Sequence, residues 1–116
     1  KTFLINSYSE AKKIPVFHFL QPTSLLKEKK SKFEQEYAEF FGSDRVKYYI
    51  KEYESLKNNF FSNNSKDKNI FYFNLLNIFD NRGETIFFDH SHVTDKGYKI
   101  LCEKICSEIY DNLKNI

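Results

Sequence analysis

Glycine is scarce in this chain of 116 residues, occurring only at Gly42, Gly83 and Gly97. Neither a GxGxxG fingerprint nor a GxxxxGK phosphate loop can be written with those positions, so glycine-rich nucleotide cradles are excluded. Cysteine occurs only at Cys102 and Cys106, which excludes a disulfide-rich scaffold. Their spacing, four residues apart in an expected helix, argues against a bridge between them and reads as two small buried apolar side chains. Proline occurs twice, and methionine and tryptophan not at all. No apolar run approaches the roughly 20 residues of a bilayer-crossing helix, so no membrane span is expected. No basic segment leads into an apolar one, so no signal peptide is visible. There is also no surplus of one charge. Lys plus Arg is 18 and Asp plus Glu is 16, a net of +2, too even to expect nucleic acid as a partner. The densest basic stretch, Lys27 to Lys32, reads as a solvated face. The chain opens on Lys1 rather than Met, which suggests a processed, truncated or domain-level piece.

Aromatic residues are plentiful, with 13 Phe and 8 Tyr. A hydrophobic share of 41% beside 29% charged residues is enough for the core of one small domain or part of a larger one. From about Thr2 to Lys13, Leu4, Tyr8 and Ala11 fall at helical spacing, and Pro15 ends that helix. Val16-Phe17-His18-Phe19-Leu20 is nearly continuously apolar, as in a strand covered on both faces of a parallel sheet. Gln21-Pro22-Thr23-Ser24 breaks it. Ser31-Lys32-Phe33-Glu34 is a capping box. The helix it starts would line Phe33, Tyr37 and Phe40 along one face. Gly42-Ser43-Asp44 closes that helix and caps the next, whose stripe is Val46, Tyr49, Ile50, Tyr53, Leu56 and Phe60. Ser62 to Asn69 reads as a polar turn. Ile70-Phe71-Tyr72-Phe73 is a second strand, Leu75 to Phe79 is ambiguous, and Asp80-Asn81-Arg82-Gly83 is a turn. Thr85 to Phe88 reads as a brief extended piece. Thr94 or Asp95 caps a last helix carrying Tyr98, Leu101, Cys102, Ile105, Ile109 and Leu113.

Strands alternating with helices predict an α/β fold, a three-layer α/β/α sandwich with a parallel sheet. Two strands make a poor sheet of that kind, so the chain reads as the C-terminal half of one domain, its remaining strands supplied from upstream or from another chain.

The chemistry concentrates in Asp89-His90-Ser91-His92, between an extended piece and a helix, at the end of the sheet where α/β proteins usually bind ligands. An aspartate three residues before a histidine on a turn can accept a hydrogen bond from Nδ1. That contact fixes the tautomer and leaves Nε2 to take a proton from a nucleophilic hydroxyl. Spacing alone leaves two other readings open. One is a structural loop in which Asp89 caps backbone amides and His92 packs on the helix N-terminus. The other is a metal site from Asp89, His90 and His92, which lie too close in sequence to fill a tetrahedral shell by themselves; His18 is the one remaining histidine and no CxxC accompanies them.

The run Ile86-Phe87-Phe88-Asp89-His90-Ser91-His92-Val93-Thr94-Asp95-Lys96-Gly97-Tyr98, with an amphipathic helix after it, resembles the last conserved block of the SGNH (GDSL-type) hydrolases. Phe17-His18-Phe19-Leu20-Gln21-Pro22 is similar to the strand and Gln-Pro exit of one branch of these enzymes. Ile70 to Phe79 is similar to the strand before their catalytic loop. The resemblance implies a flavodoxin-like three-layer sandwich and hydrolysis or transfer of acyl groups on esters, with no metal or organic cofactor. It implies His92 as general base and Asp89 as its orienting carboxylate. The substrate would be a small-molecule, carbohydrate or lipid ester. The nucleophile's Gly-Asp-Ser motif has no counterpart here, and neither do the glycine and asparagine of the oxyanion hole. Gly42-Ser43-Asp44 has those letters in the wrong order, between two helices. Ser91 is pinned beside its own base and is a poor nucleophile. The chain is therefore expected to be inactive alone. Gln21, at the strand exit, is expected to contact substrate or to redirect the chain. Thr23 to Asp44 is longer than most connections and is expected to act as a lid over the site or a wall of its pocket. The alternative to an esterase portion is a non-catalytic α/β scaffold or binding module.

Overall fold

A computed structural model describes residues 2–62 and 69–116. Apart from its two ends, the polar turn expected over 62–69 lies outside the described residues. The elements run α1 (Thr2–Lys12), β1 (Val16–Leu20), α2 (Lys32–Phe41), α3 (Ser43–Ser62), β2 (Ile70–Asn74) and α4 (Asp95–Leu113). Among the described residues this is a mixed α/β chain of four helices and a two-stranded parallel sheet. The strands pair in register, from Val16 opposite Ile70 to Leu20 opposite Asn74.

Local chemistry sets the boundaries. Lys13 takes a left-handed backbone (φ 55) directly after α1, and the residue before Pro15 is steered away from helix in any case. At the start of α2 the Ser31 hydroxyl accepts the Glu34 amide at 3.2 Å, and Glu34 Oε2 accepts the Ser31 amide at 2.8 Å, completing the expected capping box. Gly42 (φ 95) ends α2, and its amide donates to the Ala38 and Glu39 carbonyls. Its own carbonyl accepts the Val46 amide at 3.0 Å, so one residue joins α2 to α3. Glycine adopts that positive φ without a Cβ penalty. Thr94 caps α4, its hydroxyl accepting the Gly97 amide at 3.3 Å.

The sheet has two aromatic faces. Phe17 stacks on Phe71 (4.8 Å between ring centroids) and Phe19 on Phe73 (5.1 Å) on one side. On the other, His18 stacks on Tyr72 at 4.8 Å, and Phe60 of α3 meets Tyr72 edge-on at 5.1 Å. Asn6 of α1 closes that side, donating to the Tyr72 hydroxyl at 2.7 Å and lying 2.8 Å from His18 Nε2. A buried hydrophobic cluster is built from residues that follow β2 in the chain. Phe79, Ile86, Phe87 and Val93 form one buried cluster, with Ile78, Ile100 and Leu101 against it. Ile86 and Phe87, shortly before Asp89, are thus buried, while Phe88 beside it is exposed.

Several sequence expectations are corrected. Lys27 is buried, not solvated, because Glu34 meets it inside the protein. Cys102 and Cys106 are exposed free thiols. On α2, Phe33 and Phe40 face solvent, and Tyr37 together with Phe41 does the packing. On α3 no side chain is fully buried, and Leu56 is exposed. Tyr98 and Leu113 of α4 are exposed as well. These misses share a cause. Periodicity identifies the apolar side of a helix but not whether another element covers it, and of the hydrophobic side chains of α4 only Ile100 and Leu101 pack against the buried cluster. Leu75 to Phe79 resolves as turns in which Leu75, Leu76 and Phe79 are nonetheless buried.

Gly97 marks the closest approach of α4 to this core. A Cβ there would sit 2.7 Å from Val93 Cβ and 3.0 Å from Ile86 Cγ2, both β-branched side chains in the cluster. Gly97→Ala is expected to destabilise by about 1–3 kcal/mol through overpacking, even though alanine is the better helix former. Urea unfolding checks this, and a neutral or stabilising substitution would show that α4 can shift away freely.

Candidate active site

The Asp89–His92 loop is a short hairpin. Phe87 bridges Val93 antiparallel. The Phe88 amide donates to the His92 carbonyl at 2.8 Å, and the Thr94 amide to the Ile86 carbonyl at 2.7 Å. Inside it both Asp89 oxygens are engaged. Oδ1 accepts the amides of Ser91 (2.8 Å) and His92 (2.7 Å), and the Ser91 hydroxyl lies 3.5 Å away. Oδ2 lies 2.7 Å from His92 Nδ1. An ionised carboxylate only accepts, so Nδ1 carries the hydrogen, and in the neutral ring Nε2 then presents its lone pair. Among the described residues no hydrogen bond reaches that Nε2. His92 is largely exposed, with 73% of its side chain accessible against 32% for Asp89.

Modest burial pushes the Asp89 carboxyl upward. The amides of His92 and Ser91 and the His92 imidazole outweigh it and hold the group well below the usual carboxylate range. Asp89 therefore stays ionised across any physiological pH.

Gln21 reaches the same loop. Its Nε2 donates to the Ser91 carbonyl at 3.0 Å. Gln21, Ser91 and His92 line a groove of about 380 Å³ together with Phe19, Leu75, Tyr98, Leu101 and Ile105. Of the residues singled out from sequence, Asp89 meets His92, and Gln21 reaches the Ser91 carbonyl between them. His90 turns elsewhere. Its ring packs against Phe41 (5.7 Å) and Tyr49 (5.6 Å), with the Tyr37 hydroxyl 3.4 Å from Nδ1. His18 sits in the sheet with Asn6 and Tyr72, apart from this loop. Among the described residues no group of three or more His, Cys, Asp or Glu is placed to hold a metal ion, and no helix is long and apolar enough to cross a membrane.

No family model, no curated protein and no solved structure matches the chain.

Sequence reasoning missed what holds the loop in place. Lys27 Nζ lies 2.6 Å from Glu34 Oε2 and 2.8 Å from the Glu84 carbonyl; both side chains are 1% exposed. Glu34 Oε1 accepts the consecutive amides of Ile86 (2.9 Å) and Phe87 (3.1 Å). A buried carboxylate on α2 thus holds the backbone at the base of the hairpin. The capping box at Ser31–Glu34 was the available signal, but it pointed only to the local contact.

Acid should loosen this region. Burial pushes Glu34 upward, but the Lys27 ammonium and the amides of Ser31, Ile86 and Phe87 more than offset it, so its carboxyl lies below its ordinary value. Asp89 is lowered too. A carboxylate whose folded pKa lies below its unfolded pKa binds fewer protons when folded. Its stabilisation is therefore complete above an unfolded pKa of roughly 4 and is lost as pH falls through the depressed folded value. His18 is lowered by burial, which penalises its charged form. Its contribution is present above about pH 6.5 and falls as the unfolded imidazole protonates below that. Stability is expected to decline gently below pH 6.5 and steeply only below pH 4. Chemical denaturation across that range checks it; a steep loss centred near pH 6 would contradict the carboxylate assignment.

Proposed function

We propose that this chain is the C-terminal portion of a three-layer α/β/α serine esterase or acyl hydrolase of SGNH type. It supplies the general base His92 and the orienting carboxylate Asp89 of a Ser-His-Asp triad. The observation that carries this reading is the 2.7 Å contact of His92 Nδ1 with Asp89 Oδ2, His92 lining the same groove as Gln21. Exposed apolar surface supports the incomplete-domain part of it. Leu4 and Tyr8 of α1 are exposed, and the Phe17–Phe19–Phe71–Phe73 face is only half-buried. An upstream half-domain would cover both and bring the serine to the groove.

In this mechanism Nε2 accepts the serine proton as Oγ attacks the ester carbonyl. The imidazolium, held by Asp89, then returns the proton to the departing alcohol, leaving an acyl-enzyme. Water repeats the sequence and releases the acid. The substrate is a small-molecule, carbohydrate or lipid ester. Gln21, which lines the groove, contacts it, and segment 23–44, which does not line the groove but exposes Phe33 and Phe40 on α2, serves as a lid.

One observation favours a second reading, a non-catalytic α/β module. Asp89 Oδ1 caps two amides, a job that loop would need without any chemistry.

The reading frame extended upstream should encode a Gly-Asp-Ser type turn, and its product should hydrolyse a short-chain nitrophenyl ester. The 116-residue chain alone should not exceed background. Full activity in a His92→Ala variant of the longer protein would overturn the site assignment.

A further inference from the structure

The Asp89–His92 loop is held at its tip as well as at its base. Segment 21–24, leaving the end of β1, supplies the tip contacts, and every one goes to a main-chain carbonyl. The Thr23 hydroxyl donates to the His90 carbonyl at 2.5 Å, and the Ser24 amide to the same oxygen at 3.2 Å. Gln21 Nε2 takes the Ser91 carbonyl at 3.0 Å. His90 and Ser91 lie between the two dyad residues, so their peptide units set the distance from Asp89 to His92. Thr23 is fully buried (0% exposed). Its hydroxyl oxygen also accepts the Leu25 amide at 3.4 Å, which directs its hydrogen toward His90, and its β-branched side chain is stiff about χ1. The His90 ring, wedged among Tyr37, Phe41 and Tyr49, fixes the same residue from its other side.

We propose that Thr23, assisted by Gln21, is a positioning residue for the Asp89–His92 pair, gripping the loop by the His90 and Ser91 carbonyls so that Nδ1 stays on Oδ2. Neither residue needs to touch a reacting atom. The grip transmits the placement of β1 to the dyad, since Leu20, the last residue of β1, is itself fixed by accepting the Leu75 amide at 3.1 Å. This inference rests on Asp89–His92 being a functional pair. Its readout needs no turnover, so it fails independently of the esterase reading.

Nitrogen-15 NMR of the imidazole in the 116-residue chain reports the tautomer directly. Wild type is expected to hold His92 in the Nδ1–H form. Thr23→Val, which keeps the shape and removes the donor, should lower the ratio of Nδ1–H to Nε2–H at least tenfold while the other amide resonances stay in place. Thr23→Ser, which restores the donor, should recover most of it. Gln21→Ala, at an exposed position that does not endanger folding, should shift the ratio the same way by a few-fold. An unchanged ratio in a folded Thr23→Val overturns the proposal. If Thr23→Val does not fold, Gln21→Ala decides, and an unchanged ratio there overturns it equally. Failure of Thr23→Ser to recover the ratio would assign the effect to packing and also overturn it.

Discussion

Glu34→Gln is expected to destabilise the chain by about 3–5 kcal/mol, the loss typical of breaking a buried ion pair from one side. Lys27 and Glu34 are both 1% exposed, so removing the anion strands an ammonium where water does not reach. The lysine has one other acceptor at hand, the Glu84 carbonyl at 2.8 Å, which does not neutralise it. A buried pair can often be exchanged for apolar residues of similar volume without loss. That exchange should fail here. The Glu34 carboxylate accepts three amides, those of Ser31, Ile86 and Phe87, besides the lysine. Lys27→Met with Glu34→Leu removes the charge problem and orphans all three donors, each of which costs about 1–3 kcal/mol when buried and unsatisfied. The double variant should therefore stay well below wild type. Equilibrium urea unfolding of both variants measures this, and a double variant as stable as wild type would mean that the amide contacts contribute nothing net. With total stability for a domain of this size of about 5–15 kcal/mol, the single variant consumes much of the margin.

That anchor also shows where reading the chain succeeds and where it stops. Local signals carry local structure. The apolar runs placed β1 and β2, the Ser31–Glu34 pattern placed the start of α2, and Gly42 placed its end. The Asp-x-x-His spacing placed a carboxylate within reach of an imidazole because both lie on one turn, and the contact is there at 2.7 Å. Glu34 has no such signal for its second task. Ile86 and Phe87 are more than fifty residues further along, and nothing near Glu34 anticipates them. Lys27 sits among lysines and looks like its neighbours, yet it alone meets an anion in the interior. Thr23 follows Gln-Pro and reads as turn material, while its hydroxyl is spent on a carbonyl 67 positions away. Cys102, Phe40 and Leu56 fail for the opposite reason: their spacing is right for an apolar face, but no element among the described residues lies over them.

The second large effect separates catalysis from loop structure at a single atom. If the proposed esterase reading holds, Asp89→Asn in the upstream-extended protein should lower turnover about 10⁴-fold while leaving the fold intact, as loss of the orienting carboxylate does in a serine triad. Asparagine retains a carbonyl oxygen that can replace Oδ1 and keep the Ser91 and His92 amides at 2.8 and 2.7 Å. Its amide nitrogen then occupies the Oδ2 position, facing His92 Nδ1. A donor facing Nδ1 favours the tautomer with the proton on Nε2, and an Nε2 that already carries a proton cannot accept one from serine. Asp89→Ala instead removes the amide cap as well, so it should lose both activity and about 0.5–2 kcal/mol of stability, the usual value of a side-chain cap. His92→Ala should remove turnover to the level set by the remaining groups, without disturbing the hairpin, since its main-chain contacts with Phe88 and Asp89 persist. Single-turnover hydrolysis of a nitrophenyl ester, with thermal unfolding of each variant alongside, reads both quantities. If Asp89→Asn and Asp89→Ala lose stability alike and neither loses activity, Asp89 is a loop cap alone and the non-catalytic module is the correct reading.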